Sequence, residues 1–301
     1  MQFKSKSSKA GEPGVYRIAK LTALVSISCS YALAGLAHAE GDSPWLPIPG
    51  QVSLSVGDSE QSGSDAYIGS KSIPISGITG GAANKYKRSN FGVRVDYGIS
   101  DALSLDASIN YSSVKVGAAD KDSGLGDTMI GLNYRALDEF ERLGLPTVTL
   151  RAAAIVKGNY DAARLASLGK GANGIEIAAI VGKQFGSSFS LWGELGVQKR
   201  NADVPTATFF EIGTRWRFAP GWAANLGYSD KKYGGNLDIG GAGFTPAKFQ
   251  QVREERSVVK IGLSYAIAGN QAIALNLGKL VNGRNTVKDD STFAISYTYA
   301  F

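Results

Sequence analysis

The end of the chain alternates without a break: Phe293, Ile295, Tyr297, Tyr299 and Phe301 are large and apolar, while Thr292, Ala294, Ser296, Thr298 and Ala300 are small or polar. Successive side chains of a strand point to opposite faces. The segment therefore reads as a strand with one aromatic face and one polar face. A soluble edge strand carrying such an open stripe would invite aggregation, whereas a strand with lipid on one side needs it.

The N-terminal region agrees with an exported protein. Lys4, Lys6, Lys9, Arg17 and Lys20 precede the apolar run from Leu21 to Leu36, and Ala37-His38-Ala39 offers a small-residue cleavage site before Glu40. Residues 1–39 are thus expected to be a signal peptide, 40–50 a periplasmic segment, and 51–301 the folded unit. Ser26-Ile27-Ser28-Cys29 resembles a lipidation box only in part, lacking the Leu expected before its small residues.

The single Cys and single His, Cys29 and His38, both fall inside that signal. The mature chain then has no disulfide, no Cys nucleophile, no Cys/His zinc site and no histidine-dependent catalytic pair. Neither a metal, a cofactor nor an enzymatic activity is expected; carboxylate pairs can act as acid and base, but no such constellation stands out. The chain's formal charge of +6 shrinks to about +2 once the five basic and one acidic residues of 1–39 are set aside, too balanced for a nucleic-acid partner.

Beyond residue 39 no apolar run reaches the ~18 residues a membrane helix requires, so insertion into a bilayer demands a closed barrel in which every backbone group is paired. Period-two alternation marks twelve candidate strands: Gln51 to Gly57, Asn90 to Gly98, Leu103 to Val116, Asp127 to Leu137, Thr147 to Gly158, Gly174 to Phe185, Phe189 to Lys199, Thr206 to Phe218, Trp222 to Lys231, Arg256 to Ala268, Gln271 to Leu280 and Ser291 to Phe301. The connections alternate too. Short turns at 99–102, 186–188, 219–221 and 269–270, with a longer one at 138–146, separate long connections at 58–89, 117–126, 159–173, 200–205, 232–255 and 281–290. Short periplasmic turns and long outer loops are the signature of a bacterial barrel, and twelve satisfies its even strand count. The expected fold is all-β, a 12-stranded antiparallel transmembrane β-barrel in the bacterial outer membrane.

Alternation alone also suits a soluble barrel or sandwich. Loop asymmetry, the terminal stripe and the aromatics Phe189, Trp216, Phe218 and Trp222 beside short turns favour the membrane, where aromatic side chains settle at the interface. In the third strand Leu103, Leu105, Ala107, Ile109 and Tyr111 would meet lipid, opposite Ser104, Asp106, Ser108, Asn110 and Ser112.

With the apolar faces outward, the candidate pore-lining residues are Arg94, Asp96, Asp106, Arg135, Arg151, Glu176, Glu194, Glu211, Arg215, Arg217 and Lys260, together with Asn133, Lys157 and Lys231. Two readings compete. The residues could line a hydrated conduit whose transverse field orients solutes, with Glu194, Glu211 and Arg215 at its constriction. They could equally form an ion-pair network filling the barrel, leaving a structural or surface-interaction protein. The long first connection could fold inward or stay on the surface, and Trp45-Leu46-Pro47-Ile48-Pro49 could cap or enter the periplasmic mouth.

The stripe Phe293, Ile295, Tyr297, Tyr299 and Phe301 resembles the C-terminal signal read by the barrel-assembly machinery. Three stretches carry a family resemblance: Tyr97-Gly98-Ile99-Ser100-Asp101-Ala102-Leu103-Ser104-Leu105, then Ser123-Gly124-Leu125-Gly126-Asp127-Thr128 running into Met129-Ile130-Gly131-Leu132-Asn133-Tyr134, and the last strand itself. Over residues 90–301 the chain resembles the outer-membrane proteins of the meta-pathway of phenol degradation family, often called transporters. Ile155-Val156-Lys157-Gly158 departs from the Pro-Thr-Gly that commonly ends that strand in the family. The resemblance implies partners in outer-membrane lipid, the assembly machinery and a small solute, and a channel for small, aromatic or hydrophobic compounds. On the residues alone, the two glycines of Gly124-Leu125-Gly126-Asp127 would allow positive φ where a loop re-enters a strand, and Asp127 could hold nearby backbone.

Overall fold

The computed structural model describes residues 43–142, 144–164 and 166–301; the signal-peptide segment 1–39 lies outside them. Twelve antiparallel strands close into a barrel: β1 Val52–Gly63, β2 Tyr86–Ser100, β3 Leu103–Val116, β4 Thr128–Leu137, β5 Thr147–Val156, β6 Gly174–Phe185, β7 Phe189–Arg200, β8 Ala207–Ala219, β9 Trp222–Tyr233, β10 Glu255–Ala268, β11 Gln271–Arg284 and β12 Ser291–Ala300. Each pairs with its sequence neighbours, and β12 closes on β1 from Ser53↔Ala300 to Ser62↔Ser291. Closure leaves no free edge, which meets the hydrogen-bonding demand of a bilayer.

The two faces have the expected polarity. Outward, Leu105, Ile109, Ile130, Leu132, Leu150, Ile177, Leu195, Leu275 and Ile295 are exposed, while inward Ser55, Ser112, Thr149, Ser190 and Thr298 are buried. A soluble barrel would bury the first set, so a continuous apolar exterior identifies a lipid-facing wall. Phe185 and Phe189 meet at 5.9 Å and Trp216 and Phe218 at 5.6 Å beside the short turns, with Trp222 exposed nearby. On β12 the outward residues include Phe293 and Ile295, and Phe301 just beyond its end is the most exposed of the stripe.

Several boundaries run further than their composition suggested. β1 continues through Asp58-Ser59-Glu60-Gln61-Ser62-Gly63, β2 begins at Tyr86, and β11 extends to Arg284. These polar extensions project beyond the apolar band on the side of the long connections, where the ladder continues in water. The glycine expectation was wrong: neither Gly124 nor Gly126 has positive φ. Gly124 belongs to a short strand, Asp120–Leu125, that folds back on β3, and a Cβ at Gly126 would collide with the Asn110 amide. Close approach, not φ, requires that glycine.

The first long connection, 64–85, is structured. Asp65–Ile68 and Lys71–Pro74 form a hairpin, joined by Val287–Lys288 from the β11–β12 connection. Ile75, which follows, packs with Ala83, Tyr86, Val114, Val116, Tyr160, Ala166 and Leu168 in a core at the outer end of the barrel.

At the opposite end, that of the short turns, Ser43–Gly50 enters the barrel. Gly50 N–H donates to Gly98 O at 2.8 Å and Thr149 Oγ1 donates to Pro44 O at 2.7 Å. Trp45 is 2% exposed, packs on Trp192 and donates its indole N–H to Glu139 Oε1 at 2.8 Å. A Cβ on the inward-facing Gly182 would meet Pro44 at 2.6 Å and the Trp45 ring at 3.0 Å. Absence of a side chain there makes the space the segment occupies.

Candidate functional site: the lumen

Strand parity places Arg94, Asp96, Asp106, Asn133, Arg135, Arg151, Glu176, Glu194, Glu211, Arg215, Arg217, Lys231 and Lys260 on the inner face. Lys157 lies past the end of β5 and is exposed. The inward charges do not stand apart. Asp106 accepts from Arg151 at 3.0 Å and from Asn133 at 2.8 Å, with Arg94 at 3.8 Å; Arg94 also pairs with Asp96 at 2.8 Å. Arg151 in turn bridges to Glu176, which accepts from Gln198 Nε2 at 3.1 Å. Gly131 faces this node, where a methyl group would strike both Asp106 and Arg151.

Further round the wall, Glu194 and Glu211 are register partners on β7 and β8, each 2% exposed. Like charges directly opposite on a sheet repel, and Lys260 supplies a cation to Glu211 at 3.1 Å. A belt of buried ions thus runs from β2 to β10. Arg135 is set apart, near the short-turn end, where it pairs with Asp138 at 3.3 Å; Arg217, in the same zone, donates to Ser187 O at 2.8 Å.

The open space lies outward of the belt. A cavity of about 810 Å³ sits between the upper barrel wall and the outer loops, and none of the eleven residues chosen from sequence lines it. Its charged lining includes Arg88, Asp127, Lys170, Arg200, Lys231, Glu254, Arg256 and Asp289. Of these only Lys231 was anticipated as a lumen residue. Arg88 and Arg200 fell just outside the strands drawn from composition; carrying the period-two pattern two residues past Asn90 and one past Lys199 would have reached them.

Asp127 holds backbone as expected, accepting from Gly158 N–H at 3.2 Å, but it also accepts from Tyr160 at 2.5 Å and pairs with Arg200 at 2.5 Å. Burial, then the Asp127 charge, push the Tyr160 phenol up, so it stays a donor.

Asn285, at φ +48°, joins three loops. Its Oδ1 accepts from Gly69 N–H at 2.8 Å and Ile239 N–H at 3.1 Å, while its amide donates to Asp238 Oδ1 and to Arg253 O, both at 2.7 Å. Hydrogen bonds from Arg284, then Asn285, hold the Asp238 carboxyl below its usual range. Burial would raise Glu254, but Lys170 and Arg256 outweigh it and the net shift is downward. Carboxylates with depressed folded-state values contribute stability above their ordinary pKa of 3.8 for Asp or 4.5 for Glu and lose it as pH falls through the lower folded value. Protection against hydrogen exchange in the 234–254 connection, corrected for the pH dependence of intrinsic amide exchange, is therefore expected to stay high at pH 6 and to fall only below those ordinary values. Equal protection at both extremes would show that these carboxylates do not hold the outer loops together.

Residues 111–295 match the family described as "Putative MetA-pathway of phenol degradation". Among solved structures, an outer membrane channel of the COG4313 group from Pseudomonas putida F1 superposes with a TM-score of 0.67 at 16% identity, covering 87% of this chain and all of that one. The NanC porin gives 0.50 at 9% identity, covering 82% of this chain and 98% of the porin. At such identities the likeness is one of fold. A search of curated proteins returned no match.

Proposed function

The chain belongs to the family described as "Putative MetA-pathway of phenol degradation", and from that premise we propose that it is an outer-membrane channel through which small solutes diffuse, aromatic or hydrophobic compounds among them. The observation that carries this is a closed wall, apolar outside and ionic inside, enclosing a cavity of about 810 Å³ beneath the outer loops. Such a wall gives a solute a polar route through a bilayer. The similar folds are named for channel and porin, which supports a conduit over an enzyme.

The same reading takes residues 1–39 as a cleaved export signal, 40–50 as a periplasmic segment, and the Phe293–Phe301 stripe as the face presented to the barrel-assembly machinery and then to lipid. The eleven charges of the belt and its flanks line the route.

One observation favours the other reading, a filled and non-conducting barrel: Arg151, Glu176, Glu194, Glu211 and Arg215 are each no more than 5% exposed. The two separate in planar bilayers. Glu211→Gln leaves Lys260 with one fewer carboxylate beside it, so a lined conduit should shift toward anion selectivity, read as a reversal-potential change under a salt gradient. An unchanged reversal potential would take Glu211 out of the route.

A further inference from the structure

The outer cavity has a charge imbalance and an apolar cover, and together these define a ligand. Each of the three carboxylates lining it is bridged to a cation that also lines it: Asp127 to Arg200 at 2.5 Å, Glu254 to Lys170 at 2.6 Å, and Asp289 to Arg256 at 2.5 Å. Arg88 is a cation beyond these pairs. It reaches into the cavity lining from β2 and is steadied by two neutral acceptors, Asn90 Oδ1 at 3.0 Å and Leu168 O at 2.8 Å, which fix its position without cancelling its charge. Lys231, from β9, also lines the cavity, 5.8 Å from the Phe209 ring centre and 5.5 Å from that of Tyr233.

The loop side differs in character. Phe244 and Phe249 of the β9–β10 connection meet edge to face at 5.2 Å and line the same space, as does Ile68 of the first connection. An apolar surface facing one fixed cation, Arg88, whose acceptors are neutral, suits a ligand with a hydrophobic body and one negative group. The volume is in the range of sites that enclose small organic molecules.

We propose that this cavity binds small monoanions bearing an apolar ring or chain, aromatic carboxylates being the simplest, with Arg88 receiving the anionic group and Phe244 and Phe249 covering the apolar part. The site rests on the channel reading in that it lies in the solute's path. Its occupancy is measured without any current, so loss of conductance and loss of binding remain separate results.

The experiment is titration calorimetry on the folded, detergent-solubilised protein with three probes: benzoate, benzyl alcohol and acetate. Benzoate should bind at least about tenfold more tightly than either of the others, since each lacks one half of the recognition. Arg88→Gln should weaken benzoate about tenfold and leave benzyl alcohol unchanged. Phe244→Ala combined with Phe249→Ala should weaken benzoate and leave acetate unchanged. Retention of the compact band on unheated gels shows that each variant is folded, and Arg88→Met, of similar length but without the charge, gives the same test should Arg88→Gln fail to fold. Equal affinity for benzoate and benzyl alcohol, or benzoate binding indifferent to loss of the Arg88 charge, would overturn the proposal.

Discussion

Arg151→Met is expected to destabilise the barrel by about 3–5 kcal/mol, because it takes the bridging cation from two buried carboxylates at once. Asp106 and Glu176 are 2% and 1% exposed, and Arg151 is the cation that bridges them. Asp106 keeps Asn133 and a distant Arg94, and Glu176 keeps Gln198, so each retains a hydrogen bond but loses its nearest countercharge. The readout is the temperature at which the compact band on gels converts to the unfolded one, which should fall for Arg151→Met. Adding Asp106→Asn and Glu176→Gln removes the two charges that the arginine bridged and should restore most of the loss. If the triple variant is no more stable than the single one, the bridge is not what the arginine contributes.

The second large effect concerns the short-turn end. Truncating Trp45 to Ala removes a side chain 2% exposed, seated against Trp192 and held by Glu139. Large-to-small changes at such sites cost about 3–5 kcal/mol, more than a tethered segment of a few residues can be expected to withstand. Ser43–Gly50 should leave the lumen, and conductance should rise severalfold over wild type, as should solute entry. Trp45→Phe keeps most of the packing and should lie close to wild type. An unchanged conductance in Trp45→Ala would mean that the segment lies beside the route and not across it.

The barrel was legible because its physics is local and periodic. A strand between lipid and a polar lumen must alternate, so Leu103 to Val116 and Gly174 to Phe185 could be bounded to the residue from sequence, and strand parity settled which side chains face inward. The upper ends were harder. Asp58 to Gly63 is polar on both faces and reads as a loop; only pairing with β2 and β12 makes it a strand. The same blind spot hid Arg88 and Arg200, and with them the cavity. Nothing in Asn285 or Asp238 announces that they join three loops, since these bonds span from 46 to 216 residues. The Arg151 bridge was half visible: its three charges were all assigned to the lumen, but which would touch depends on strand tilt and stagger, and on Gly131 leaving room.

The central claim is that the closed barrel passes small solutes, and its most direct test is solute entry into liposomes carrying the folded wild-type protein. Swelling is expected in isosmotic solutions of small solutes, accompanied by discrete conductance steps in planar bilayers. Liposomes that neither swell nor conduct, with the protein shown to be inserted and folded, would contradict it and leave the barrel a filled, structural one.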